Sequence, residues 1–209
     1  MQQKYKRWMC GVVVLVGSGV SLGAMAPKVE VSIYNDTQLS RETLTQAEDE
    51  AKRIFQKAGM TLVFVDARGL GRDGSHKTVE NAVRLSVRII PHSKNLSETT
   101  FGVSFLGEDG EGAFADVFLD RAQALSAGWN VSLVHVLGHV VAHELGHLLL
   151  GSNGHASQGI MRPRWQHAEL VKAATGTLVF TPEQARRMVA RVSAGKRESE
   201  VLQVAALRK

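Results

Sequence analysis

Cysteine is almost missing from the sequence: the single example, Cys10, lies in an N-terminal segment that we expect to be removed. Without other cysteines the chain forms no internal disulfide and has no thiolate to hold or mask a metal ion. Any metal site must therefore use histidine and carboxylate side chains. The fold must be stabilised by its own hydrophobic core, which a chain of 209 residues is long enough to bury.

The apolar run at the N-terminus is too short and too rich in glycine to favour a permanent membrane span. Lys4, Lys6 and Arg7 precede this run, which covers about residues 8–22, and small residues follow it. The order of basic, apolar and small residues predicts a signal peptide over residues 1–26. We therefore expect a secreted or periplasmic protein with no stable membrane span after signal cleavage. A retained anchor is the alternative.

The chain lacks a large excess of positive charge outside this segment. Its formal charge of +5 includes three cations of the expected signal, which contains no acidic residue. The excess that remains, about two positive charges, does not indicate a nucleic-acid partner. A basic C-terminal tail over residues 196–209 is interpreted as a solvated end.

Sequence patterns predict one α+β domain over residues 27–195. Strand patterns occur over residues 29–35, 60–67, 83–90, 99–106 and 113–120. Helical patterns occur over residues 40–58, 131–150 and 182–193. Because the order differs from the regular alternation of a doubly wound sheet, it favours an α+β domain.

Two glycine-rich segments predict loops, residues 69–77 and residues 107–112. The second contains Glu108, Asp109 and Glu111. Hard cations favour clustered carboxylates, so this loop could bind calcium. An ordinary acidic turn is the alternative.

The predicted helix over residues 131–150 lacks the lysine, arginine and glutamine that usually fill a solvent-exposed helical face. Histidines occupy most of its polar positions at steps of four residues: His135, His139, His143 and His147. Histidine suits a metal ligand or a proton carrier, so we expect this face to line a cleft. His139 should line the cleft or form a hydrogen bond near it, and a second metal site is the alternative.

Within this helix the residues H-E-L-G-H contain His143, Glu144 and His147. Residues four apart lie on one helical face, so the two histidines can present ring nitrogens to one zinc ion. Glu144 lies beside the pair, where it can take a proton from a water on the open side of the metal. The pattern, placed on a predicted helix, indicates metal-assisted hydrolysis of peptide bonds.

A catalytic zinc site ordinarily takes a third protein ligand, for which His155, His167 and Glu169 are candidates. Gly151 follows the last leucine of the predicted helix and suits a residue with positive φ. Residues 152–154 then turn easily, so His155 can return to the same ion. We therefore prefer His155.

The run of H-E-L-G-H, a glycine, a third histidine and G-I-M resembles the metzincins, a group of zinc-dependent endopeptidases. In their pattern the glycine and the third histidine come three and six residues after the second histidine. Here Gly151 and His155 come four and eight residues after His147. The site therefore resembles a metzincin site with a longer turn.

The resemblance implies a zincin-like fold: a mixed twisted sheet, an active-site helix, a turn containing Met161 beneath the metal, and a C-terminal helix. It also implies zinc bound by the three histidines, Glu144 as the general base, and a peptide or protein substrate. Residues 110–118 resemble the edge strand along which substrate lies in that group. Arg162, Arg164 and Trp165 occupy the position of a substrate-pocket wall, although packing and surface charge are an equal alternative.

Other interpretations remain open. Glu169 in place of His155 resembles the gluzincin arrangement, in which the third ligand is a glutamate on a later helix. A zinc-binding module could also recognise a protein partner and cleave nothing. A histidine-rich helical face that binds no metal is the remaining alternative.

Overall fold

The computed structural model describes residues 26–66, 82–93, 96–97 and 99–206. The predicted signal, apart from Ala26, and the predicted loop at residues 69–77 lie outside the described residues. Five strands and five helices occur in the described part. In chain order they are β1 (Lys28–Asn35), α1 (Arg41–Lys57), β2 (Thr61–Asp66), β3 (Val83–Ile90), β4 (Gly102–Phe105), β5 (Phe114–Phe118), α2 (Leu119–Trp129), α3 (Leu133–Leu150), α4 (His167–Ala174) and α5 (Pro182–Ala206).

The strands form one mixed sheet in the order β2-β1-β3-β5-β4. β1 pairs in parallel with β2 and β3, and β3 pairs in parallel with β5. β4 pairs antiparallel with β5 at the edge of the sheet. This confirms the predicted mixed sheet. The expectation that residues 110–118 form the edge strand is wrong, because β5 lies between β3 and β4.

The predicted start of the first helix is confirmed by its cap. Ser40 is the N-cap of α1, and its hydroxyl accepts a hydrogen bond from the backbone N–H of Thr43 at 3.1 Å. After the helix, Gly59 has a φ of +79°, which glycine adopts without strain. Helix α1 then connects the parallel strands β1 and β2, a pairing that requires such a crossover.

The last helix begins where the sequence predicts and ends later. Thr181 and Gln184 exchange hydrogen bonds between their side chains and backbone N–H groups at 3.3 and 2.9 Å, and α5 starts at Pro182. The helix continues to Ala206 instead of ending near residue 193. Part of the predicted tail is therefore helical, since no proline interrupts this stretch and most of its residues favour helix.

The sequence analysis missed α2. This helix starts directly after β5, with Phe118 at its N-cap and no side-chain hydrogen bond to the first turn. It ends at Asn130, whose left-handed conformation has a φ of 52°. Because the usual polar cap is absent, the local sequence shows a continuing strand rather than a new helix.

Helix α3 forms the centre of the core. Every residue from Val136 to Leu150 is buried. Among the described residues, α3 is also the one helix long and apolar enough to cross a membrane, but 83% of it is buried inside the fold. Gly138 allows α1 to approach closely, because a Cβ there would lie 2.6 Å from the Cβ of Glu50. The protein's own core thus accounts for the apolar character of α3.

Candidate metal centre

Helix α3 places His143 and His147 on one face, as predicted. Their Nε2 atoms lie 3.1 Å apart, and the ring centroids are 4.7 Å apart with the planes nearly perpendicular. Both residues are buried. Two nitrogens bound to one tetrahedral zinc ion at about 2.0–2.1 Å would be about 3.3 Å apart. The observed separation therefore fits two ligands of a shared ion.

The two Nε2 atoms face each other without a proton between them. The Nδ1 atoms of His143 and His147 each lie 2.8 Å from a backbone carbonyl oxygen, that of Ile160 and that of Ser152. A carbonyl oxygen only accepts, so each Nδ1 carries the hydrogen. Burial lowers the pKa of both rings, that of His143 to about 3, so neither gains a second proton at neutral pH. Two lone pairs therefore point into one space, where a cation would stabilise them.

His155 joins this pair through the turn that ends α3. Gly151 caps the helix with a φ of +62°, a left-handed conformation that glycine favours. The backbone N–H of Ser152 then donates to the carbonyl oxygen of His147 at 3.2 Å. The potential ligand atoms of His143, His147 and His155 all lie within 4.8 Å of one another. The longer spacing is thus accommodated in the turn, and the three predicted residues do come together.

Glu144 lies beside the histidines and is held by strand β4. The Ser104 hydroxyl lies 2.7 Å from Glu144 Oε2 and 2.9 Å from the Glu144 backbone oxygen. Burial raises the pKa of Glu144 to about 7, and the Ser104 hydrogen bond lowers it by less. Gly102 permits this approach, because a Cβ there would lie 2.7 Å from Glu144 Cγ. The carboxylate can therefore exchange a proton near neutral pH.

Met161 lies under α3 in a tight turn, as predicted. Its side chain is fully buried, and a Cβ on Gly146 would lie only 2.7 Å from its Sδ. Gly159 has a φ of +75°, and the backbone N–H of Ala156 donates to the Met161 carbonyl oxygen at 2.8 Å. The Ile160 carbonyl oxygen of this turn accepts the hydrogen bond from His143, so the turn fixes the orientation of the His143 ring.

A cleft of about 370 Å³ opens over the three histidines and Glu144. One wall comes from β4 and the residues before it, and the opposite wall comes from the turns after α3. The other lining residues are Thr99, Thr100, Phe101, Gly102, Val103, Ser104, Asn153, Pro163 and Arg164. The cleft is therefore large enough to admit part of a peptide chain beside the histidines.

The other candidates for a third ligand are engaged elsewhere. Glu169 accepts hydrogen bonds from the Arg162 side chain at 2.6 Å and from the backbone N–H of Gln166 at 3.0 Å. Burial raises its pKa, but the hydrogen bonds and the positive charge of Arg162 together lower it by more. His167 stacks against Trp129, with ring centroids 5.4 Å apart. Neither residue belongs to the histidine cluster.

His139 and His135 lie outside the cleft. His139 is fully buried, and its ring nitrogens lie 2.7 and 3.1 Å from the carbonyl oxygens of His135 and Leu178. The carboxylate of Glu50 lies 3.5 Å from His139 Nδ1 and 3.6 Å from His135 Nδ1. Burial lowers the pKa of His139 against the opposing effects of these acceptors. The expectation that His139 lines the cleft is therefore wrong. The residue lies instead in the interface between α1 and α3.

The acidic loop at residues 107–112 is a structured turn. Asp109 accepts a hydrogen bond from the backbone N–H of Glu111 at 2.9 Å. Glu111 in turn pairs with Arg191 at 2.6 Å. Calcium binding by this loop stays a prediction.

Ser104 and Gly102 are the site residues that the sequence reasoning missed. Ser104 is 40 positions from Glu144 in the chain, and only the pairing of β4 beside β5 brings them together. A serine and a glycine in a short predicted strand give no local signal of such a contact.

Comparison with known proteins establishes the fold. The sequence matches no protein-family model and no curated protein. Among solved structures, the chain is similar to a zinc-dependent peptidase from Methanocorpusculum labreanum, with a TM-score of 0.50 and 13% identity, covering 76% of this chain and 99% of that one. It is also similar to archaemetzincin from Methanopyrus kandleri, with a TM-score of 0.48 and 14% identity, covering 83% and 99%. The domain thus has a mixed α/β fold like that of the first peptidase.

Proposed function

We propose that this protein is a zinc-dependent endopeptidase of the metzincin type, with His143, His147 and His155 as the zinc ligands. The main observation behind this proposal is that the imidazole rings of these three histidines converge. His143 and His147 are buried, and the lone pairs of their Nε2 atoms point toward each other. Histidine nitrogens are suitable donors for zinc, and three protein ligands leave the fourth position for water or substrate. The fold shared with a zinc-dependent peptidase supports the same conclusion.

When bound, zinc would polarise the scissile carbonyl and acidify the attacking water. Glu144 would take the proton from that water and deliver it to the leaving amine. A pKa of about 7 suits both steps, since the group must accept and release a proton near neutral pH. Ser104 fixes Oε2, which leaves Oε1 to contact the water.

The substrate would lie along β4. This strand is at the edge of the sheet, and residues 99–104 line the cleft. An extended peptide can add to a free strand edge through backbone hydrogen bonds, so recognition need not depend on one particular side chain. This arrangement would place a peptide bond next to the three histidines.

Two alternatives have less support. The gluzincin arrangement requires Glu169 as a ligand, but its carboxylate is occupied by Arg162 and by the start of α4. A non-catalytic zinc module would gain nothing from a buried carboxylate held beside the histidines. The position of Glu144 therefore favours an enzyme.

We also propose that the enzyme acts outside the cytoplasm, because the first 26 residues have the order of an export signal. The domain of residues 27–195 contains every side chain that the chemistry requires. Comparing the N-terminus and the cell fraction of the expressed protein would test this localisation.

Glu144→Gln tests the activity itself. The amide keeps the shape of the side chain but cannot act as a base, so cleavage should fall by about 10²–10⁴-fold while bound zinc is retained. Wild type and variant would be compared by metal analysis and by digestion of a peptide library. Glu183→Gln, an exposed substitution on α5, is the matched control. If zinc is bound but every activity survives in Glu144→Gln, the proposed role of this residue is wrong.

A further inference from the structure

The cleft has an uneven distribution of charge. Apart from the three histidines proposed to bind zinc, Glu144 and Arg164 are the ionisable side chains among the described residues that line the cleft. Glu144 is buried at the base, whereas Arg164 is exposed on the wall. Apart from the proposed zinc ion, Arg164 is therefore the accessible charged group that a substrate would meet on the described lining of the cleft, and its charge is positive.

Arg164 differs from its neighbour Arg162. Arg162 donates to Glu169 at 2.6 Å and so helps to fix the start of α4. In the part of the chain that the structure describes, no carboxylate lies within ion-pair distance of Arg164. Its guanidinium, with five N–H donors in a planar fork, is thus available to a ligand.

The backbone beside Arg164 is held in a fixed position next to the histidines. Trp165 is buried and donates its Nε1–H to the carbonyl oxygen of Ile160 at 3.1 Å, the same oxygen that accepts from His143. Its ring also packs against Phe101 from the opposite wall, with centroids 4.9 Å apart. The position of Arg164 is therefore coupled to the ring of a proposed zinc ligand.

We propose that Arg164 recognises a carboxylate of the peptide substrate, either an acidic side chain next to the scissile bond or a free C-terminus. This inference rests on the proposed peptidase function and narrows its substrate class. A planar guanidinium binds a carboxylate through two parallel charge-assisted hydrogen bonds, and no fixed anion on the exposed cleft wall competes for it within the described residues. Pairing of this kind gives about tenfold discrimination or more in kcat/KM.

Matched peptides test this inference. A library of quenched peptides would vary glutamate against glutamine at each position near the cleavage site, with every peptide made as the free acid and as the amide. The wild-type protein should cleave the carboxylate member of one pair about tenfold faster. If the cleavage rate of amidated peptides depends on glutamate, the recognised carboxylate belongs to a side chain. If the rate depends on whether the C-terminus is amidated, the recognised carboxylate is the free C-terminus.

Variants of the arginine complete the test. Arg164→Gln should remove the preference, and Arg164→Lys should retain part of it, because lysine keeps the charge but loses the planar fork. Arg187→Gln, which removes an exposed arginine from α5, should behave like wild type. Cleavage without any carboxylate preference, or a preference that survives in Arg164→Gln, would overturn the proposed role of Arg164. It would leave the proposed peptidase function standing. A zinc-loaded wild-type protein that cleaves no peptide overturns the proposed function as well.

Discussion

Gly146→Ala tests how tightly the turn that contains Met161 packs against α3. The Cβ of such an alanine would lie 2.7 Å from Met161 Sδ and 2.7 Å from a ring carbon of Phe180. Both side chains are buried, and Phe180 packs against Phe55 with ring centroids 5.0 Å apart. Because both neighbours are buried and both contacts are too short for a Cβ, at least one of these side chains or the backbone must shift to make room.

The expected effect on stability is the difference between two opposing contributions. An extra methyl group in a well-packed core costs typically about 1–3 kcal/mol. Alanine stabilises a helix interior by about 1 kcal/mol relative to glycine. We therefore expect Gly146→Ala to lower the free energy of unfolding by roughly 1 kcal/mol, or the Tm by about 3 °C. Thermal unfolding in the presence of a chelator measures this without a contribution from bound metal.

Gly128→Ala is the matched control. Gly128 is also helical, in α2, but a Cβ there would meet no heavy atom within 4 Å. This substitution should raise the free energy of unfolding by up to about 1 kcal/mol. The two substitutions should therefore change the free energy of unfolding in opposite directions. If Gly146→Ala stabilised the protein as much as Gly128→Ala, the close packing under α3 would be refuted.

Three further predictions concern buried polar groups. Ser104→Ala removes the donor to Glu144 and should lower kcat about tenfold with little change in KM; a change in KM alone would contradict this positioning role. Burial lowers the pKa of the three clustered imidazoles, that of His143 to about 3. Zinc binding by Glu144→Gln at pH 6.5 should therefore release fewer than the roughly 1.5 protons expected of three ordinary histidines. Calorimetry in buffers of different ionisation enthalpy measures that release, and a value near 1.5 would count against the buried site. Burial raises the pKa of Glu50, but Arg53 and the nearby histidines lower it by more, so its stabilising effect is present above pH 4.5 and is lost as the pH falls below that value. Denaturation should therefore show a steeper loss of stability below pH 4.5 in wild type than in Glu50→Gln, and equal slopes would exclude this contribution.

Much of the sheet and several helix ends could be predicted because they depend on local sequence. Ser40 and Thr181 have the polar side chains that begin a helix, and Gly151 has the conformational freedom that ends one. Helix α2 was missed because it follows β5 without a polar cap. The strand order was also beyond local reasoning, since the edge position of β4 depends on pairing between distant segments.

The same distinction applies to the site. His143 and His147 are one helical turn apart, so their convergence follows from helix geometry alone. His155 follows from the glycine turn. The burial of His139 could not be predicted, because Trp165 and Leu178 cover that turn of α3 from distant parts of the chain. Helical spacing identifies a shared face, but the elements packed on that face decide which part of it remains open.

Zinc content tests the central claim, that three imidazoles share one ion, most directly. Wild type, His155→Ala and Glu169→Ala would be dialysed against a weak chelator and analysed for bound metal. Wild type and Glu169→Ala should retain about one zinc per chain, and His155→Ala should lose it. Zinc that remains in His155→Ala and disappears in Glu169→Ala would contradict the account.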